Sequence, residues 1–162
     1  NLIDRIKKRL PDSGIGVDVI VGFPGETEED FIHTHNFLRD LPISYLHVFT
    51  YSERPDTKAI SLPGNVDIQE RKRRNNILRI LSEKKRAKFY FDMIGTTQEV
   101  LFENANKNGL MHGFTSNYIK IRTNFNEAFT GQICLISLID AETDICNGTI
   151  KNKKKSIDLV TT

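Results

Sequence analysis

Asp18-Val19-Ile20-Val21-Gly22-Phe23-Pro24-Gly25-Glu26-Thr27, DVIVGFPGET, decides how the chain is read. Val17 to Val21 are apolar apart from Asp18, a run that suits a parallel strand covered on both faces. Phe23-Pro24-Gly25 then makes a tight turn, in which Gly25 can take a positive φ and Gly22 lets a ligand or another backbone come close. Thr27 and Asp30 resemble a capping box with Asp in place of Glu, and Glu28, Glu29 and Asp30 complement the positive start of a helix. Open α/β folds place ligands at such a strand end. The loop lacks the Gly-Lys-Ser/Thr of a phosphate-cradling P-loop, and an ordinary βα turn accounts for it as well.

Upstream, Ile3, Ile6 and Leu10 put one apolar face on a helix over Leu2–Leu10, ended by Pro11-Asp12-Ser13-Gly14. The strand spans Ile15–Phe23. Downstream, Phe31, His35 and Leu38 carry the face of a helix ending near Asp40, and Ile43–Ser52 is a second strand. Asn65-Val66-Asp67 caps a long helix to about Met93, with Ile77, Leu78 and Leu81 inward. Alternation of helix and strand predicts βαβ-style crossovers. Two parallel strands cannot make a buried sheet alone, so missing chain, a second copy or a swapped element must cover their edges, and a dimer through the uncovered sheet edge is one outcome.

From Gly95 the texture changes. Val100–Phe102, Met111–Phe114, Tyr118–Arg122, Ile133–Ile139 and Ile145–Ile150 are short β-rich runs between Gly and Asn, which predicts a five-stranded antiparallel barrel of the OB kind. Lys151–Lys155 reads as a frayed basic tail. The fold class is therefore α/β, a partial (β/α) barrel with two parallel strands over residues 1–94, followed by an OB-like β-barrel over residues 95–162.

No run of 18 apolar residues is present, so no transmembrane helix and no membrane partner is expected. The charged N-terminal stretch does not read as a signal peptide, and the start at Asn1 reads as a cut from a longer protein. Cys134 and Cys146 are too few and too far apart for a zinc or iron–sulfur site and read as free thiols on strands. The chain's net charge is only +2, but Asp67–Asp92 holds nine basic and four acidic residues, a net of +5.

Three sets of residues carry candidate chemistry beyond the opening loop. On the second strand His47, Phe49 and Tyr51 share one face, with Leu46, Val48 and Thr50 on the other. Tyr51, Ser52 and Arg54 then border the crevice at the end of the first strand, where Arg54 could hold a carboxylate or phosphate bidentately. A surface arginine on a loop fits Arg54 equally, and His47 reads as a satisfied core or rim histidine rather than a base. Arg71, Arg73 and Arg74 in the basic helix could neutralise a nucleic-acid backbone, or simply be a solvated face. In the barrel, His112, Phe114, Asn117, Tyr118, Lys120 and Arg122 interleave aromatic, amide and basic groups, a composition that grips single-stranded RNA by stacking and charge. Phe114 and Tyr118 could instead be barrel core.

With these residues in view, the chain resembles the radical S-adenosylmethionine methylthiotransferases over essentially its whole length. DVIVGFPGET is similar to their fifth-strand motif. His47-Val48-Phe49-Thr50-Tyr51-Ser52-Glu53-Arg54-Pro55-Asp56-Thr57 resembles their sixth strand and its Tyr-Ser-x-Arg-Pro-Gly-Thr loop, with Asp56 in place of Gly. Gly95 onward resembles the TRAM RNA-binding barrel. Leu46-His47-Val48-Phe49, Leu101-Phe102-Glu103 and Met111-His112-Gly113-Phe114-Thr115 with Asn117-Tyr118 look most like the branch acting on threonylcarbamoyladenosine in tRNA.

The resemblance implies S-adenosylmethionine and two 4Fe-4S clusters in the full-length protein, which generate a radical and supply sulfur. It implies a methylthio group placed on C2 of the adenosine beside the tRNA anticodon, and a cytoplasmic location. Val19, Ile20, Val21 and Gly22 would line the adenosyl part of the cofactor, and Phe49, Thr50 and Tyr51 the other side. Arg54 would face the substrate or second cluster. Arg71, Arg73, Arg74, His112, Phe114, Tyr118, Lys120 and Arg122 would meet the tRNA anticodon stem-loop. Asp56 can serve for Gly if it takes the left-handed region. The Cys-x-x-x-Cys-x-x-Cys motif is absent from the sequence, so no catalytic residue and no metal ligand is assigned here, and this chain alone is expected to be inactive. The alternatives are a methylthiotransferase for isopentenyl-adenosine in tRNA or for a ribosomal protein, and a stand-alone RNA-binding module.

Overall fold

The computed structural model describes residues 2–105 and 108–153, which fall into two compact units divided between Arg86 and Ala87. The first unit opens with α1 (Leu2–Arg9), β1 (Gly16–Val21), α2 (Glu28–Asp40) and β2 (Tyr45–Thr50). A 3-10 turn at Lys58–Ser61 leads to α3 (Ile68–Asp92), which runs through the division. The second unit holds β3 (Thr97–Ala105), β4 (Leu110–Thr115), β5 (Lys120–Asn124), β6 (Ile133–Ala141) and β7 (Cys146–Lys153).

Local chemistry fixes these bounds. The capping box is formed in both directions: Asp30 N–H donates to Thr27 Oγ1 at 3.1 Å, and Thr27 N–H to Asp30 Oδ2 at 3.0 Å. At the far end of α2 the Lys85 ammonium donates to the carbonyls of Arg39 (2.9 Å) and Leu41 (2.8 Å), closing off carbonyls that the helix leaves open. Asp67 Oδ1 accepts from Gln69 N–H at 2.8 Å and starts α3.

β1 and β2 pair in parallel, with Asp18 opposite His47, Ile20 opposite Phe49 and Val21 opposite Thr50. Val21, Phe31, Leu38, Ile43, Leu46, Leu78 and Leu81 form a core on one face of this sheet. The other face is open: Asp18, Ile20, His47 and Phe49 are all exposed. The reading of β1 as covered on both faces is thus corrected, because helices of this chain pack on one side only.

The outer edge of β2 is not bare. Ser82 Oγ accepts from Leu46 N–H (2.8 Å) and donates to Leu46 O (2.9 Å), while Asn75 Nδ2 donates to Val48 O at 3.3 Å. Side chains of α3 therefore blunt an edge that would otherwise invite another strand. On the opposite edge, among the described residues, no hydrogen bond reaches the outward-turned backbone of Gly16, Asp18 or Ile20.

The second unit is a closed barrel in the order β3-β4-β5-β7-β6. The expectation of an antiparallel barrel needs correction: β5 and β7 are parallel. The reason is counting. Strand directions cannot alternate all the way round a ring of five, so one neighbouring pair must run the same way. That seam holds only Ile121 opposite Cys146 and Arg122 opposite Asn147. The core comprises Val100, Phe102, Met111, Ile119, Ile121, Cys134, Ile136, Leu138 and Cys146, joined by Phe89, Tyr90 and Met93 from the end of α3 and the turn after it. Lys151–Lys153 belong to β7 rather than to a frayed tail, and Lys154 and Lys155 lie outside the described residues.

Candidate cofactor wall and nucleic-acid interface

The residues expected to line a cofactor divide between the two faces of the β1–β2 sheet. Ile20 (59% exposed) and Phe49 (52%) lie side by side on the open face, with Asp18 and His47 beside them. Tyr45 shares that face, its ring edge-on to His47 at 5.0 Å between centroids. Gly16 makes room for it, since a Cβ there would sit 2.5 Å from the Tyr45 ring. Val21 is in the core, and Val19 packs against it. Any contact of theirs with a ligand on the open face is therefore through backbone. Thr50 is half-buried opposite Val21.

The end of β1 is tied to α3 by Arg71. Gly22 has φ 76°, and a Cβ on it would lie 2.3 Å from Arg71 Cγ. The glycine thus admits the Arg71 side chain. That guanidinium, in a residue only 3% exposed, donates from Nε to Val66 O (2.8 Å), from Nη1 to Tyr51 O (3.1 Å), and from Nη2 to Glu53 Oε1 (2.7 Å) and Asn65 Oδ1. It also lies 5.2 Å from the centre of the Tyr51 ring, which meets Phe23 edge-on at 5.3 Å. The hydrogen bond from Arg71 holds the Glu53 carboxyl below its ordinary range, and Glu53 in turn pushes Arg71 up. The Tyr51 hydroxyl is buried and, among the described residues, has no hydrogen-bond partner.

Arg74 and Arg73 are likewise engaged within the chain. Arg74, 4% exposed, donates to Glu26 O (3.0 Å), Glu26 Oε2 (2.8 Å) and Glu70 Oε1 (2.9 Å). The same Glu26 Oε2 accepts from Gly22 N–H at 2.5 Å. Burial opposes the Arg74 charge, but its hydrogen bonds to Glu26 and Glu70 prevail and raise its pKa. Arg73, partly exposed, bridges Glu70 (2.7 Å) and Glu28 (2.6 Å). Glu70 falls to about 2, chiefly through its hydrogen bond from Arg73. The arginines singled out for nucleic acid thus fasten α3 to the loops after β1 and β2. Glu70 at i, i+3 and i+4 is the sequence signal for that pairing. Nothing local in the sequence links Glu26, Glu53 or Asn65 to it. Arg54 is exposed on the loop after β2, where Thr57 Oγ1 donates to its carbonyl at 2.8 Å, and Asp56 takes φ 64°.

In the barrel unit, β4 and β5 bring the expected RNA residues together. Phe114 stands opposite Lys120 and His112 opposite Arg122, with Ile121 pointing inward between them and Met111 inward just beyond His112. Phe114 and Tyr118 are outside the core rather than in it. Cross-strand pairing extends the row to Leu101 on β3 and Ile133 on β6, both exposed and neither among the RNA candidates taken from the sequence. Burial, and then the neighbouring Lys120 and Arg122, lower the His112 pKa. Arg122 donates from Nε to Asn147 Oδ1 (2.8 Å) and pairs with Glu142.

Tyr118 is the most unusual member. It holds φ 65° without being glycine, and its side chain is 70% exposed. The turn around it is closely bonded: Tyr118 N–H donates to Thr115 O (3.0 Å) and Ile119 N–H to Thr115 Oγ1 (2.8 Å). Tyr90 Oη accepts from Lys120 N–H at 3.1 Å and donates to Tyr118 O at 3.4 Å. The backbone is held in a costly conformation and presents an aromatic ring that buries little surface, a pattern associated with functional positions.

Among the described residues no three His, Cys, Asp or Glu side chains are grouped to hold a metal, and no helix is long and apolar enough to cross a membrane. Both cysteines lie in the barrel core, and burial pushes the Cys146 thiol up to about 11. A cluster that needs exposed thiolates does not fit them.

Comparison with known proteins bears on this arrangement. No family model matches the chain. It is 35% identical over 149 residues to a tRNA-2-methylthio-N(6)-dimethylallyladenosine synthase of Endomicrobium trichonymphae, covering 92% of this chain and 35% of that protein. It is 43% identical over 121 residues to the threonylcarbamoyladenosine tRNA methylthiotransferase MtaB of Aquifex aeolicus, covering 75% of this chain and 28% of that protein. The chain matches the C-terminal part of tRNA methylthiotransferases. A synthase of the first type from Shewanella sp. strain ANA-3 aligns at 32% identity over 98% of this chain and 34% of its own length. The chain therefore spans about a third of the length of the curated relatives it matches. Relatives of both substrate types align with it.

Proposed function

We propose that this chain is the C-terminal portion of a radical S-adenosylmethionine enzyme that adds a methylthio group to a modified adenosine beside the tRNA anticodon. Its barrel, a TRAM domain in this reading, holds the tRNA. The observation that carries the RNA-binding part is the outward row on β4 and β5, where Phe114 faces Lys120 and His112 faces Arg122, with Tyr118 projecting from the turn between the strands. Aromatic faces stack unpaired bases whatever their identity, and cations hold the backbone between them.

On the first unit, the open face with Ile20 and Phe49 suits one wall of the adenosyl pocket, and Gly22, Val19 and Val21 would contribute backbone. S-adenosylmethionine and two 4Fe-4S clusters would supply the methyl group, the radical and the sulfur in the whole protein. The chain's own residues would exclude water from one side of the cofactor and, through Arg54, position the substrate. By itself the chain would bind tRNA and leave it unmodified. Threonylcarbamoyladenosine is the substrate we favour, on the motif around Met111–Tyr118, and dimethylallyl-adenosine is the second reading, on the relatives of that type.

The test has two parts. This chain should bind an anticodon stem-loop RNA with an affinity that falls steeply as salt rises, and no binding at low salt would refute the RNA reading. The full-length protein should add methylthio to threonylcarbamoyladenosine in tRNA, read by mass spectrometry of nucleosides. Product found only on dimethylallyl-adenosine would reverse the substrate assignment.

A further inference from the structure

The basic helix sorts its cations in a way the sequence does not reveal. Arg71, Arg73 and Arg74 are consumed by Glu53, Glu28, Glu26 and Glu70, and Lys85 by carbonyls at the end of α2. Among the described residues, Arg79 and Arg86 have no carboxylate within ion-pair distance. Arg86 lies 5.8 Å from the centre of the Tyr45 ring.

These two arginines line one groove. It has a volume of about 450 Å³ and runs along the outer edge of β2, between Leu46–Thr50 and α3. Asn75, Arg79, Ser82 and Arg86 fall at i, i+4, i+7 and i+11, a single stripe of the helix. Asn75 and Ser82 spend their polar groups on the strand edge, which leaves Arg79, Arg86 and a single carboxylate, Glu83, as the charged lining. Glu83, also in the lining, stands one turn from each arginine and bonds to neither. By the alternation that turns Leu46 N–H toward Ser82, the amides of Val48 and Thr50 also face this side.

We infer that this groove is a second RNA-backbone contact, with Arg79 and Arg86 each taking a phosphate of the tRNA substrate. The inference rests on the proposed tRNA-binding function and locates a contact outside the barrel. Two guanidiniums seven residues apart are roughly 10 Å apart along the helix. That span suits successive parts of a polyanion better than one small phosphate. The open face of the sheet, with Phe49 and His47, shares residues with the groove, so a strand held there would reach the cofactor wall.

The experiment is binding of a synthetic anticodon stem-loop RNA to this chain by fluorescence anisotropy across a potassium chloride series. Each backbone contact contributes about 0.7 to the slope of log affinity against log salt for single strands. Arg79→Gln should lower the slope by about 0.7 and the Arg79→Gln/Arg86→Gln pair by about 1.4. Arg79→Lys should restore it, and Arg39→Gln, at an exposed arginine on α2 outside the groove, should leave it unchanged. Arg79 is exposed, so its variant reports even if Arg86→Gln disturbs Tyr45. Unchanged slopes in both glutamine variants, with wild-type binding intact, would overturn the groove and leave the barrel reading standing. No binding by the wild-type chain would overturn both.

Discussion

Replacing Gly22 by alanine tests whether the turn after β1 exists to admit Arg71. The new Cβ meets two costs. At φ 76° a non-glycine residue costs about 1–2 kcal/mol. The Cβ would also lie 2.3 Å from Arg71 Cγ and 3.0 Å from its Cβ and Cδ, so the arginine must move. Moving it breaks the bonds to Val66 O, Tyr51 O, Glu53 and Asn65 in a residue 3% exposed. Losing a buried ion pair costs about 3–5 kcal/mol, and the half-exposed Glu53 places this case at the low end. Gly22→Ala should therefore destabilise the first unit by about 4–5 kcal/mol. In an Arg71→Ala background most of the clash is gone, and the same substitution should cost about 1–2 kcal/mol, a coupling of roughly 3 kcal/mol. Urea unfolding with hydrogen exchange at the Val21 and Leu46 amides reads this unit. An equal cost in both backgrounds, or a cost under about 1 kcal/mol in the wild-type background, would refute the account.

Other outcomes follow from single contacts. Tyr118→Asn should weaken stem-loop RNA binding by about 1–3 kcal/mol, the worth of one stacked base, while thermal stability holds or rises because asparagine tolerates the left-handed region. Ser82→Ala strips both partners from Leu46 and should cost about 1–3 kcal/mol in unfolding, with loss of protection at the Leu46 amide. Glu70 has a folded pKa of about 2 against an ordinary 4.5. Its contribution is complete above 4.5 and disappears as pH falls toward 2, so Glu70→Gln should flatten the acid limb of the stability profile in that window. Thr27→Ala should remove about 1 kcal/mol through the lost cap, measured by urea unfolding.

What could be read from the sequence was what depends on near neighbours. The capping box at Thr27 and Asp30, the strand through Val21 and the five β runs need only local pattern, and each is present. The parallel seam needed the closure of the ring as well as the strands. The fate of the basic helix needed tertiary partners: Arg71 and Arg74 look like surface cations until the loops carrying Glu53, Asn65 and Glu26 are folded against them. The candidate RNA face was legible because β4 and β5 are joined by a short turn, which makes the pairing of Phe114 with Lys120 nearly a sequence property. Leu101 and Ile133 belong to the same row but arrive from strands remote in the chain.

The helix that begins in the first unit ends by delivering Phe89 and Tyr90 into the barrel core, with Met93 close behind. The change of texture at Gly95 is therefore not a place to cut. A truncation beginning there would expose the apolar surface those side chains fill and take away Tyr90 Oη, which brackets the turn carrying Tyr118. The barrel carries its own stopper, and a transplant to another protein should include it. A graft that starts at Ala87 should yield a folded barrel where one starting at Gly95 should aggregate.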